Sequence, residues 1–160
     1  MHPSARKVSQ AAAEIGLDIQ ILEFDQTTRT AADAAAAIGC QVAQIVKSLM
    51  FTVGPEPVMV LVSGNNQLDD RKLAALYQVG RKRVRRANAD MVKNITGFSI
   101  GGVPPFGHQQ PLPVFVDQDL LVFDVVWAAA GTPNAVFAIA PTELVNATGG
   151  RVIDIRQERL

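Results

Sequence analysis

The sequence predicts an α+β fold: a single compact domain with a central mixed, largely antiparallel sheet flanked by helices. Three observations carry that prediction. The chain has 160 residues, of which 48% are hydrophobic and 19% charged, enough for one sizeable core. Segments of helical period and segments of strand composition follow one another without the regular strand–helix alternation of a parallel doubly wound sheet. No internal repeat or low-complexity linker interrupts them, so one domain is assigned to residues 1–160.

The elements follow in order. Ser4 is read as an N-cap, Val8, Ala11, Ala12 and Ile15 recur at helical spacing, and Gly16 offers a stop. Ile19 and Ile21 to Phe24 predict a short strand. Thr30 with Asp33 reads as a capping arrangement for an Ala-rich helix ending at Gly39. Residues 44–53 and 57–63 are apolar and largely β-branched or bulky, and Gly54-Pro55-Glu56 between them predicts a hairpin turn. Asp69 and Asp70 suit the positive end of a helix bearing Leu73, Leu76 and Tyr77, and Asn88 caps a helix bearing Met91, Val92 and Ile95. Strands are expected at 113–116, 123–129, 135–140 and 152–155, with a helix from Pro141 to about Gly149.

Composition excludes several classes. No charge-free apolar run reaches the roughly 18 residues of a membrane span, and the first residues lack the order of a secretory signal. Cys40 is the sole cysteine and forms no internal disulfide; with His2 and His108 as the only imidazoles, no metal-ligand spacing arises. A cytoplasmic protein without metal or cofactor is expected, with no membrane partner and a monomer as the default state. Fifteen cations balance fifteen anions, yet seven of those cations lie between Asp70 and Asp90, where no acidic residue occurs. Arg81, Lys82, Arg83, Arg85 and Arg86 form the densest part, suited either to phosphates or to a solvated turn.

Three stretches have chemical potential. In an extended Ile45-Val46-Lys47-Ser48-Leu49, Lys47 shares a face with Ile45 and Leu49. A cation there either snorkels to water or lines a polar pocket, because burying an unpartnered ammonium costs several kcal/mol. The run Gly101-Gly102-Val103-Pro104-Pro105-Phe106-Gly107-His108 reads as a stiff loop with exposed N–H groups, and matches neither the dinucleotide fingerprint nor the P-loop. Gly131-Thr132-Pro133-Asn134 reads as a turn with polar groups. Two simpler readings stand beside a pocket: plain connecting loops, and a thiol dyad of Cys40 with His108. Asp117, Asp119 and Asp124 read as turn caps, with no acid–base pair marked.

With those three stretches in order, from about Thr30 to Ile155, the sequence resembles the YbaK/ProX family of aminoacyl-tRNA editing domains. Gly131-Thr132-Pro133-Asn134-Ala135-Val136-Phe137 and the following Thr142-Glu143-Leu144 extend the likeness. The resemblance implies hydrolysis of the ester joining a wrong, small amino acid to tRNA, with the acceptor end as substrate partner and an aminoacyl-tRNA synthetase as a possible second partner. It implies that Lys47 is the family's key lysine; because an aminoacyl ester is already activated, backbone donors near Gly101 and Gly131 are expected to meet the oxyanion, with water or a ribose hydroxyl as the nucleophile. Ser48, Gly102, Pro105, Phe106, Gly107, Thr132, Pro133 and Asn134 are then substrate-binding, and the Arg81 to Arg86 cluster guides tRNA. In part of the family a histidine follows the Gly-x-Pro element, where Asn134 stands here. The alternative carried by the same resemblance is a non-catalytic module that binds tRNA or a synthetase.

Overall fold

The computed structural model describes residues 1–25, 28 and 30–158. Its frame is an eight-stranded mixed sheet: β1 (Ile21–Glu23), β2 (Ile45–Val53), β3 (Glu56–Ser63), β4 (Val84–Arg86), β5 (Val114–Asp117), β6 (Val126–Ala129), β7 (Ala135–Ile139) and β8 (Arg151–Ile153). The order is β1-β7-β6-β2-β3-β5-β8, with β4 joined to β2 off that path. The β1·β7, β6·β7, β2·β3 and β2·β4 ladders are antiparallel, while β2·β6, β3·β5 and β5·β8 are parallel.

Helices cover both faces: α1 (Pro3–Glu14), α2 (Ala31–Ile38), α3 (Asp70–Leu76), α4 (Ala89–Thr96) and α5 (Pro141–Thr148). Ala5, Val8 and Ala12 of α1, Val92 of α4 and Leu144 of α5 pack with Val46, Met50, Met59, Leu61 and Phe137 on one face. On the other, Leu73 and Ala74 of α3 pack with Phe51, Val58, Val60 and Val62, and α2 sets Ala34 and Ala35 against Ile45. The alternation of β2 and β3 residues between these clusters is the period-2 geometry of a strand buried on both sides. Each large apolar side chain so buried contributes roughly 1.5–3 kcal/mol. Among the described residues, no helix is long and apolar enough to cross a membrane.

The caps explain the helix positions. Thr30 Oγ1 accepts from Asp33 N at 3.1 Å, Asn88 Oδ1 accepts from Met91 N at 2.9 Å, and Gly39 closes α2 in the left-handed conformation. The expected cap at Ser4 is corrected: Pro3 opens α1, and His2 Nδ1 accepts from Ser4 N at 3.0 Å, since proline fits the first helical position. The strand expected at 123–129 begins only at Val126, because residues 118–122 form a 3₁₀ turn capped by Asp117. Strand β4 was hidden within the basic run, where Val84 alone is buried.

Candidate active site

Strand β2 changes neighbours along its outer edge. Its start pairs in parallel with β6, Ile45 opposite Trp127 and Val46 opposite Ala128. Its end pairs antiparallel with β4, Phe51 opposite Arg86 through Val53 opposite Val84. Neither strand occupies the stretch between. The chain leaves β6 through the turn at Gly131, where φ is +96°, and leaves β4 at Asn88, the cap of α4. A cavity of about 520 Å³ opens at this break, lined from the strand by Val46, Lys47, Ser48, Leu49 and Met50. It is larger than one small amino acid requires and falls within the range of ligand pockets.

The two neighbours Lys47 and Ser48 serve opposite faces. Lys47 is half-buried, and its Nζ donates to the backbone carbonyl of Asn66 at 2.5 Å. It is therefore held inward, not extended into solvent. Its pKa is lowered from the ordinary 10.5, chiefly by burial and further by the Arg86 guanidinium, while Asp117 opposes the shift. Ser48 Oγ is buried without a hydrogen-bond partner among the described residues, on the side of the strand that carries Val46 and Met50. A buried hydroxyl left unpaired costs about 1–3 kcal/mol, and this one lies on a cavity wall that is otherwise mainly apolar.

The two glycine-bearing loops meet over this opening. Gly101, Val103, Thr132 and Pro133 line the cavity, and an added Cβ on Gly101 would lie 3.6 Å from the Pro133 ring. Gly131 N–H, however, donates to Gly102 O at 2.9 Å, so the reading of that amide as an oxyanion donor is corrected. The backbone of Gly131 also lies so close to that of Ser4 that a Cβ would sit 2.5 Å from the Ser4 carbonyl oxygen, which makes Gly131 a close-approach glycine.

Other residues expected at the substrate pack within the fold. Gly102 and Pro105 are buried, and Phe106 is a core residue with its ring 5.5 Å from that of Phe137. Gly107 passes so close to α1 that a Cβ would meet Ala11 at 2.7 Å. These four residues stand outside the cavity lining. Asn134 does too: its Nδ2 donates to Phe24 O and its Oδ1 accepts from Thr132 Oγ1, both at 2.8 Å. It ties the turn to the end of β1.

The basic cluster divides. Arg81 pairs with Asp70 at 3.0 Å. Arg83 lies against the β2–β3 turn, its guanidinium filling the space a Gly54 Cβ would need. Lys82 and Arg85 are exposed. Arg86 alone lines the cavity, its guanidinium carbon 5.8 Å from the Phe51 ring centroid. It sets a second cation near Lys47, an arrangement suited to an anion.

The thiol dyad is not supported by the geometry. Cys40 packs against the α2 cluster and its pKa is raised by burial, the reverse of an activated thiol. His108 Nε2 is engaged with Pro104 O at 2.7 Å, and burial lowers its pKa from 6.5. What sequence reasoning missed is the buried pair Asn66 and Asp117 behind Lys47, 4% and 1% exposed.

A gap in the pairing along one edge of a central strand, one inward lysine and a chamber bordered by two Gly-Pro loops coincide with a match to the family model described as "Aminoacyl-tRNA editing domain" over residues 25–147. The chain belongs to the aminoacyl-tRNA editing domain family. A crystal structure described as "a putative trans-editing enzyme for prolyl tRNA synthetase" superposes on this editing domain with a TM-score of 0.93 at 44% identity, covering 99% of each chain. A protein of Enterococcus faecalis named "Putative Cys-tRNA(Pro)/Cys-tRNA(Cys) deacylase EbsC" is 27% identical over 79% of this chain and 76% of its own. A Maridesulfovibrio salexigens proline–tRNA ligase is 35% identical over 62% of this chain but only 17% of the ligase, so the likeness covers a small part of that enzyme.

Proposed function

We propose that this editing domain is a trans-acting deacylase that hydrolyses the ester between a small, wrongly attached amino acid and tRNA. The observation that carries the proposal is the inward Lys47 on β2, where the outer edge of that strand is unpaired, lining a chamber of mixed apolar and polar walls. An aminoacyl ester is already activated, so positioned donors and an oriented nucleophile suffice without a protein nucleophile.

In this scheme the acceptor end enters past Arg86. Lys47 meets the ester region or the terminal phosphate, the Gly101 amide stands beside the developing oxyanion, and Ser48, Thr132 and Pro133 line the amino-acid chamber. A water, oriented by the free ribose hydroxyl, bonds through its oxygen to the carbonyl carbon, the bond to the esterified ribose oxygen breaks, and that oxygen takes up the proton the water gives up. Discrimination by fit alone is worth about 1–3 kcal/mol per methylene, which gives a second sieve its purpose. Gly102, Pro105, Phe106, Gly107, Gly131 and Asn134 hold the roof in place. Arg81, Lys82, Arg83 and Arg85 lie outward, where an acceptor stem would pass. The working partner is the aminoacyl-tRNA acceptor end; association with a synthetase is supported by the proline–tRNA ligase match. The working form is a cytoplasmic monomer.

The test is a deacylation panel of tRNAs mischarged with Ala, Ser, Cys and Thr. Release of at least one, abolished in Lys47→Ala, is expected. Release of none by the folded protein overturns the enzyme and leaves a binding module.

A further inference from the structure

Behind Lys47 runs a line of polar groups to which the scheme above gives no role. The Lys47 ammonium donates to the carbonyl of Asn66. The carboxamide of the same residue is clamped: its Nδ2 donates to Asp117 Oδ2 at 2.9 Å and to Asp119 Oδ2 at 2.8 Å. A carboxamide nitrogen has two hydrogens, and each has a carboxylate. Asp117 accepts in addition from Ser63 N at 3.0 Å and from Asp119 N at 2.9 Å. Asp119 Oδ2 also accepts from Arg156 Nη1 at 3.0 Å. The line starts at a guanidinium with a partly exposed side chain and ends at the ammonium, drawing on four segments far apart in the sequence.

We propose that Asn66, Asp117, Asp119 and Arg156 form a positioning relay that fixes the ammonium of cavity-lining Lys47. The proposal rests on the editing role given to Lys47 above. A lysine has a flexible four-carbon stem and an ammonium without directional preference, so its placement must come from its acceptor. Here the acceptor is a peptide carbonyl, whose direction follows the orientation of residue 66. Fastening the Asn66 side chain to two carboxylates fixes that orientation, and Arg156 in turn holds Asp119. Two cations and two carboxylates share the line, so neither charge type is left unopposed. A turn cap at Asp117 requires only the bond from Asp119 N; the further bonds to Ser63 and Asn66 exceed that need.

The relay is tested with Asn66→Ala, which keeps the carbonyl and removes the clamp. Carbon-13 relaxation of the Lys47 ε-methylene, assigned by its loss in Lys47→Ala, should show a rigid group in the parent protein and a mobile one, like that of exposed Lys82, in the variant. The turnover number of the folded variant should fall about tenfold with KM within about twofold. Unchanged Lys47 mobility and unchanged turnover per folded molecule, with only a lower melting temperature, would overturn the relay and leave a structural clasp. If Asn66→Ala does not fold, Arg156→Gln at the exposed end should loosen the same ε-methylene and lower turnover about two- to threefold, and no change in either overturns it. A rigid, Asn66-dependent Lys47 in a protein that deacylates nothing in the panel would sink the editing reading alone, because the relaxation readout needs no turnover.

Discussion

Gly102 and Gly131 touch backbone to backbone. The Gly131 amide donates to the Gly102 carbonyl at 2.9 Å, and a Cβ on Gly102 would lie 2.7 Å from both the carbonyl carbon and the oxygen of Gly131. Because the obstruction is main chain, no side-chain rotation relieves it. Gly102→Ala should therefore cost about 1–3 kcal/mol in urea denaturation, through displacement of the two loops. A stability within about 0.5 kcal/mol of the parent would show that the loops do not depend on this contact.

Ser48→Ala should separate stability from function. Removing a buried hydroxyl that lacks a partner among the described residues deletes an unsatisfied group, so stability should hold or rise by up to about 1 kcal/mol. If the hydroxyl meets substrate, kcat/KM for deacylation should fall about tenfold in the same protein. Denaturation and mischarged-tRNA assays on one preparation check both; loss of stability without loss of rate reverses the assignment.

The pH dependence of deacylation should carry the Lys47 signature. Its pKa lies below the usual 10.5, chiefly because of burial and further because of Arg86, so the ammonium is lost as pH rises through a value below 10.5. Activity corrected for spontaneous ester hydrolysis should decline on that alkaline side. Raising the pKa by Arg86→Gln should move the decline to higher pH, and a profile unaffected by that substitution removes Lys47 from the titration. Lys47→Ala should lose about two to three decades of rate, the scale of one well-placed electrostatic donor.

Arg86 and Arg81 should differ in their effect on tRNA binding. Arg86 lines the cavity, whereas Arg81 is paired with Asp70. Arg86→Gln should lower affinity and reduce the slope of log affinity against log salt by about 0.7–0.9, the contribution of one phosphate. Arg81→Gln should change the slope less. Equal slopes in the two variants and the parent would mark the whole cluster as a solvated face.

Much of the frame was readable because its signals are local. Thr30, Asn88, Gly39 and Pro141 announce helix ends within a few residues of where they act, and the β2–β3 hairpin follows from two apolar runs around one glycine turn. Strand alternation placed Lys47 on the face of Ile45 and Leu49 but left open whether its ammonium snorkels to water or turns inward; the Asn66 carbonyl that decides it lies 19 positions away. The site itself was less legible. Arg86 joins the cavity through its pairing with Phe51, and Asn66 meets Asp117 across 51 positions; neither register is written in the neighbouring residues. Glycine and proline in the 101–107 run marked a constrained loop, but not whether the constraint faced a ligand or the core. Phe106 and Gly107 turned out to answer to Phe137 and Ala11.

The break beside β2 is enforced by chain direction. The parallel neighbour ends at Ala129 and the antiparallel one at Arg86; each then turns away, one through a glycine bend and the other into a helix. No packing of side chains is needed to keep that doorway ajar. Val46, Val92 and Ala128 line the room behind the door and belong to the core as well, so a change in their size resizes that room at a cost in packing. The opening and the volume behind it are thus set by different parts of the chain, the one by strand direction and the other by side chains.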